Sequence, residues 1–330
     1  MGLRSRLLLM ATMGGAMVAS ASVASAETIS ITHDGVSIEM DFVTIRDPGN
    51  AGDTEVMTDD TTGYGSVSYE YRIGKYEVSQ TQWEKVVDAD TGDLLNDPGY
   101  WMNGSLPVTN ISWHEAAMFC NWLTSGDVTL GAYAINGSGV VTGIDRAAAV
   151  TTYGTVYVLP TEDEWYKAAY YDPNKDGAGS AGYWDYPTQD DDPYPPDGLD
   201  SPGDPDFDAV FNDGHNSYEP YGITGACSVS AYGTYGQGGN VSEWNETLIV
   251  FNDNFYRGER GGHHMSLCND LHASARGSNS PTSGYWLRGF RVAISEGTGE
   301  VVPEPGCIVG LISMGLMGAL GLWRRRKRAA

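Results

Sequence analysis

Residues His263-His264-Met265-Ser266-Leu267-Cys268 put two imidazoles, a thioether and a thiol in one short segment. These are the donors that copper or zinc takes, so His263 or His264 with Cys268, joined by Met265, makes a candidate transition-metal site. Adjacent histidines are more often polar surface, and a lone thiol more often packs, so the bland reading stands beside the metal one. Trp244, Trp286, Tyr256 and Tyr285 supply flat apolar faces that stack on sugars or peptides, with Asn240, Ser242 and Arg276 as polar neighbours in a candidate groove. The alternative is that these aromatics fill a core. Between Tyr170 and Gly222 twelve aspartates mix with Gly and Pro. Oxygen-rich loops hold calcium, but the spacing lacks the twelfth-position Glu of an EF-hand, and a solvated acidic loop is the simpler reading.

The chain carries 19 Lys+Arg against 43 Asp+Glu over 330 residues, a formal charge of −24. A nucleic-acid binder needs a basic face to neutralise phosphate, so that class is excluded. Hydrophobic residues make up 41%, with 9 Trp and 20 Tyr, enough for a buried core. The 43 Gly and 15 Pro predict a loop-rich fold, and 4 Cys are too few for a disulfide scaffold. Seven of the basic residues lie at the two ends, which leaves the body more acidic than the whole.

Those ends read as addresses. Arg4 and Arg6, the apolar run from Leu7 to Ala19 and Ala24-Ser25-Ala26 predict a secretory signal peptide over 1–26, cleaved before Glu27. At the other end Val302-Pro303-Glu304-Pro305 precedes an uncharged apolar stretch, Gly306 to Trp323, and five basic residues, Arg324 to Arg328. The stretch is long enough for a transmembrane helix over about 306–323, with the basic tail on the cytoplasmic side.

The body between them needs elements to hold its side chains in place. Ile29–Ile31 and Val36–Ile38 flank Asp34-Gly35, a hairpin signal. Ser79 with Gln82, Ser112 with Glu115 and Thr161 with Glu164 are three capping boxes, each followed by apolar residues on one helical face. Three short helices are predicted there. Asp47 to Gly65 reads as a loop, about 172–213 as a long acidic loop insertion, and Phe290–Ile294 as a strand. Cys120 lies on the apolar face of its helix and reads as a core thiol.

Five motifs occur in order: Tyr71 to Val78; Leu106 to Trp113 with Ala116 to Trp122; Leu159-Pro160-Thr161-Glu162-Asp163-Glu164-Trp165; Gly239-Asn240-Val241-Ser242-Glu243-Trp244; and Arg260-Gly261-Gly262 with Arg276 and Gly289-Phe290-Arg291-Val292. Together they resemble the formylglycine-generating enzyme (sulfatase-modifying factor) family over roughly residues 40–294. The resemblance implies an α+β fold related to the C-type lectin-like fold, with three short helices, small antiparallel sheets and little other regular structure. It places that domain at 27–300. The C-terminal tail, 301–330, resembles a PEP-CTERM sorting signal. That implies an exosortase-type enzyme as a partner, contact with the membrane through the C-terminal helix before processing, and an exported protein at the envelope or surface of a Gram-negative-type bacterium.

Enzymes of this family oxidise a sulfatase cysteine to formylglycine with oxygen and a copper(I) ion held by two cysteines, five residues apart after the Arg-Gly-Gly motif. Counting back from Arg276, the second position falls on Cys268 and the first on His263, so the segment is one thiolate short. Three readings stay open: a silent site in which Cys268 packs, a copper or zinc site at His263 and Cys268, and oxidation with a single thiol. An iron site of the ergothioneine-pathway members would need a His-x-x-x-His-x-Glu run, which the chain lacks. The family also holds structural calcium at the Gly-Asn-Val-x-Glu-Trp motif, which implies Gly239 and Val241 as carbonyl ligands and Glu243 as the carboxylate. Gly236 stands where relatives often carry Asn or Asp, which removes one side-chain oxygen from that site. The expectation is a binding or structural module with a glycan or peptide ligand. Its rival is a divergent metal-dependent oxidase acting on protein cysteine.

Overall fold

The hairpin signal at Asp34-Gly35 forms a two-residue turn in which both residues have positive φ, 48° and 86°, the twist that matches flanking strands. The computed structural model describes residues 26–96, 103–191, 209–211, 222–223 and 229–296. The chain opens with β1 (Glu27–His33), β2 (Val36–Ile45) and β3 (Tyr71–Gly74), then α1 (Gln80–Ala89) and α2 (Trp113–Ser125). It continues with β4 (Tyr133–Ile135), β5 (Val141–Ile144), α3 (Arg146–Tyr153), β6 (Thr155–Val158) and α4 (Glu162–Tyr170). The short pair β7 (Tyr171–Asp172) and β8 (Gly182–Tyr183) follows, then β9 (Ser242–Phe251), β10 (Asn254–Arg260), β11 (Gly277–Asn279), β12 (Arg288–Gly289) and β13 (Ala293–Glu296).

All three capping boxes form with both of their hydrogen bonds. Ser79, Ser112 and Thr161 each accept the N–H three residues on, and Gln82, Glu115 and Glu164 each reach back to the cap N–H. The helix α3, capped by Asp145, is additional to the three expected. The acidic insertion is less irregular at its start than expected, because β7 and β8 pair as a small hairpin. Its remainder lies largely outside the described residues, as do the signal peptide, the sorting tail with its span at 306–323, and Cys227 and Cys307. Among the described residues no helix is long and apolar enough to cross a membrane.

Two sheets carry the fold. One has the order β1-β2-β3-β13-β6, and the other β11-β10-β9-β12. Ile38, Met40 and Phe42 alternate inward along β2, as a half-buried strand requires. They meet a core in which Trp83 of α1 stacks on Phe119 of α2 at 5.6 Å, with Phe290 edge-on to both. The second sheet is asymmetric. Its strand β9 starts fully buried at Glu243, Trp244, Asn245 and Glu246 and ends exposed at Val250 and Phe251.

Candidate functional site

At the end of β10 the chain must turn sharply, and Gly261 and Gly262 do so at φ of 95° and 67°, a region side chains disfavour. A Cβ on Gly261 would also sit 2.7 Å from the carbonyl of Gln237. This turn presents His263 to a cleft of ≈ 520 Å³, lined among others by Ser266, Asp270, Arg276, Tyr285 and Arg288.

The arginines of the cleft are neutralised in place. Arg260 donates from Nε to Glu162 Oε1 at 2.8 Å and from Nη1 to the carbonyls of Ala273 and Ala275. Arg276 grips the same carboxylate with Nε and Nη2 at 2.7 and 2.8 Å, and its Nη1 meets Asp59 Oδ2 at 2.5 Å. Glu162 occupies the first turn of α4, where the helix dipole favours an anion. Arg288 pairs with Glu259, and its guanidinium lies 4.4 Å from the ring centroid of Trp244 and 5.7 Å from that of Tyr285.

His263 is half-buried. Its Nδ1 accepts the backbone N–H of Met265 at 3.2 Å, and the backbone N–H of His263 donates to Ser266 Oγ at 3.1 Å. Burial pushes its imidazole down to about 4, helped by His264 and Arg288 and opposed by Asp270. The ring is therefore neutral at pH 7, and with Nδ1 accepting, its proton sits on Nε2, a free-standing donor chemistry for a ligand. Cys268 has different surroundings. It opens a 3₁₀ turn, contacts Asn269 Oδ1 at 3.6 Å and packs against the apolar group of Tyr186, Ala209, Phe211 and Leu271.

Behind the cleft lies a fully buried charge cluster. Arg291 donates Nε to Glu243 Oε2 and Nη2 to Glu243 Oε1, both at 2.6 Å. Its remaining N–H groups reach the carbonyls of Gly74, Lys75 and Tyr235. Trp165 Nε1 adds a hydrogen bond to Glu243 Oε2 at 2.8 Å. Glu77 stands beside the pair and accepts from Asn240 Nδ2 at 2.9 Å through Oε1, while Oε2 is buried without a partner. Burial pushes the Glu77 carboxyl up to about 8; Glu243 adds to the rise, and Arg291 and Asn240 oppose it. Gly236, at φ 73°, makes room for this carboxylate, since a Cβ there would lie 2.7–2.8 Å from its atoms.

With this geometry in place, the chain can be set against known proteins. The sulfatase-modifying factor enzyme 1-like domain matches residues 41–296, most of the chain. The protein belongs to this family. Among solved structures it is similar to Treponema denticola variable protein 1, with a TM-score of 0.52 at 22% identity, covering 81% of this chain and 98% of that one. It is also similar to CarF, with a TM-score of 0.50 at 20% identity, covering 77% and 97%. Likeness at these identities speaks for the α+β fold alone. No curated protein matches the chain.

The family's metals can then be tested on the side chains present. Copper(I) needs soft donors converging on one point. His263 lines the cleft but spends its Nδ1 lone pair on Met265, while Cys268 packs on Leu271 and its neighbours and does not line the cleft. As they stand, these two do not form a copper seat. Among the described residues no three His, Cys, Asp or Glu side chains converge to hold a metal. Glu243 does not fit the calcium role either, because its charge is already neutralised by Arg291 and both oxygens are engaged. Gly239 and Val241 would supply only neutral carbonyls, so with Glu243 committed to Arg291 these three positions offer no anionic oxygen to hold the ion. Of the three candidate ligand-binding residues, Arg276 lines the cleft in a locked ion pair. Trp244 is core beneath Arg288, and Trp286 packs half-buried against His264 and Tyr285. The sequence reading missed Glu77, Glu162 and Ser266. Two of them carried a signal: an acid between the apolar strand end and cap Ser79, and an acid directly after cap Thr161.

Proposed function

We propose that this sulfatase-modifying-factor-family protein is an exported binding module of the bacterial envelope whose cleft takes a neutral, hydroxyl-rich ligand, a glycan. The observation that carries the reading is the lining of the cleft. Its arginines are held in fixed pairs, Arg288 with Glu259 and Arg276 with Glu162 and Asp59, so an anionic ligand finds no unpaired cation among them, while the Asp270 carboxylate, which takes the Leu267 N–H, stays able to accept from a hydroxyl. What remains is what sugars use: the neutral imidazole of His263, the hydroxyls of Ser266 and Ser283, the amide of Asn279, and the exposed ring of Tyr285 at the rim. Export through the N-terminal signal, sorting by an exosortase-type enzyme and transient membrane attachment through the C-terminal helix belong to the same proposal. They rest on the sequence of segments outside the described residues.

The second reading, a divergent oxidase acting on protein cysteine, is kept by one observation: Cys268 is a free, partly exposed thiol at the family's second cysteine position. The two are separated by metal analysis of the secreted chain after incubation with copper(I) and with calcium, wild type against Cys268→Ser, run beside a glycan array. The binding-module reading expects retention of neutral glycans, weakened about tenfold by Tyr285→Ala, and unchanged by Cys268→Ser. Stoichiometric copper that disappears with Cys268→Ser, and no glycan retained, would overturn it in favour of the oxidase.

A further inference from the structure

The hairpin of β9 and β10 outruns its own sheet. The neighbour β12 pairs only with Ser242 and Glu243, and β11 only with Arg257 to Glu259. Beyond those contacts, Leu248 to Tyr256 stands as a two-stranded ribbon closed by Asn252 and Asp253, both at positive φ (49° and 61°). Two-stranded ribbons are marginal by themselves. This one exposes its apolar side chains instead of covering them: Leu248 at 45%, Val250 at 57%, Phe251 at 65% and Phe255 at 63%. Register sets Val250 opposite Phe255, so Leu248, Val250 and Phe255 share one face.

The backbone is equally unfinished. In a two-residue hairpin the closing pair, here Phe251 and Asn254, exchanges hydrogen bonds, and so does the pair Ile249 and Tyr256. The N–H and C=O groups of Leu248 and Val250 therefore point away from β10. Among the described residues no strand pairs with that edge. A lipid surface would cover the side chains but leave these peptide groups unsatisfied. A strand satisfies both.

We propose that the strand comes from a second copy of this chain, with β9 pairing antiparallel to its counterpart across a two-fold axis at Ile249. An antiparallel edge is self-complementary: Leu248 N–H meets Val250 C=O of the second copy, and the reverse, so the same patch serves on both sides. Charge selects the partner. A chain of net charge −24 attracts a basic partner to its acidic faces, yet Thr247 to Asn252 carries no charged side chain to hold one. Two like-charged copies, in contrast, can approach only where charge is absent, and this run supplies that contact. Val250 and Leu248 of the two copies then pair side by side on one sheet face.

The test is sedimentation of the full chain, wild type against Val250→Lys and Val250→Thr. Circular dichroism and a melting curve check that the exposed position leaves the fold intact. The wild type is expected to approach twice the monomer mass as concentration rises to about 100 µM. Val250→Lys, which sets two ammonium groups against each other across the axis, stays monomeric, and Val250→Thr keeps the dimer. A monomeric wild type overturns the proposal, as does dimerisation left intact by Val250→Lys. A monomer that floats with zwitterionic vesicles through Val250 would give the ribbon to lipid instead.

Discussion

Glu77 is the group whose protonation should govern the stability of this domain near neutral pH. It is 1% exposed, its Oε2 has no hydrogen-bond partner, and a second carboxylate, Glu243, and one arginine, Arg291, both act on it. One arginine neutralises one carboxylate, and the bidentate geometry assigns Arg291 to Glu243. Glu77 therefore keeps its proton in the folded state up to about 8, whereas its ordinary value is 4.5. Between those two values the folded state binds one proton more than the unfolded chain, so stability falls as pH rises. The contribution is complete below 4.5 and gone above about 8. The slope is about 1.4 kcal/mol per pH unit, and the whole window is worth about 5 kcal/mol.

The perturbation is Glu77→Gln, which removes the titration but keeps an oxygen for the Asn240 amide. The assay is guanidinium unfolding of wild type and variant from pH 5 to pH 8. Asp163, whose carboxyl burial pushes up to about 6, lowers stability over part of this range, and His263, pushed down to about 4, raises it. Both act equally in the two proteins and cancel in the difference. The expected result is a wild type that loses about 4 kcal/mol relative to Glu77→Gln across the three pH units, or about 10 °C in melting temperature. Parallel curves would refute the reasoning, because they would mean Glu77 is ionised in both states and that some group supplies its missing countercharge.

Two further outcomes follow from the same cluster. Glu243→Gln should destabilise the domain by about 3–5 kcal/mol, because it strands the guanidinium of Arg291 in the core; denaturant unfolding reads this, and a loss under about 1 kcal/mol would mean solvent reaches the pair. Gly236→Asp should cost at least about 2 kcal/mol through its positive φ and its collision with Glu77. A double-mutant cycle with Glu77→Ala should recover part of that loss, and strict additivity would show that the two positions do not touch.

What the sequence made legible was local. A capping box is complete within four residues, so Ser79, Ser112 and Thr161 announced their helices without help from the rest of the chain. The α3 helix had only its Asp145 cap to announce it, because only Ala149 on it is buried and there is no apolar stripe to read. It is fixed from outside, by Arg146 reaching Glu164 at 3.0 Å and Glu246 at 2.9 Å. The long ribbon of β9 and β10 carried no hairpin signal, since its turn is Asn252-Asp253 without the glycine that usually marks one. The resemblance implied a cation at Glu243, whereas its partner in the structure, Arg291, lies 48 residues away, beyond any spacing rule.

That long-range pairing explains how the family motifs can be present here without the paired thiols. Each motif holds one half of a buried contact whose other half lies in another motif. Glu243 of the Gly-Asn-Val segment needs Arg291 of the Gly-Phe-Arg segment. Glu162, beside the Thr161 cap, needs Arg260 of the Arg-Gly-Gly turn and Arg276 beyond it. Glu77 of the first motif needs Asn240 of the fourth. Removing one half of such a pair leaves an uncompensated charge or orphaned polar group in the core and costs several kcal/mol, a large share of a domain's stability. A cysteine at position 263 or 268 carries no such penalty, because both side chains are partly solvated and neither is held in a buried ion pair. The motifs thus specify the fold through matched charges, and the chemistry of the cleft can change while every one of those matches is kept.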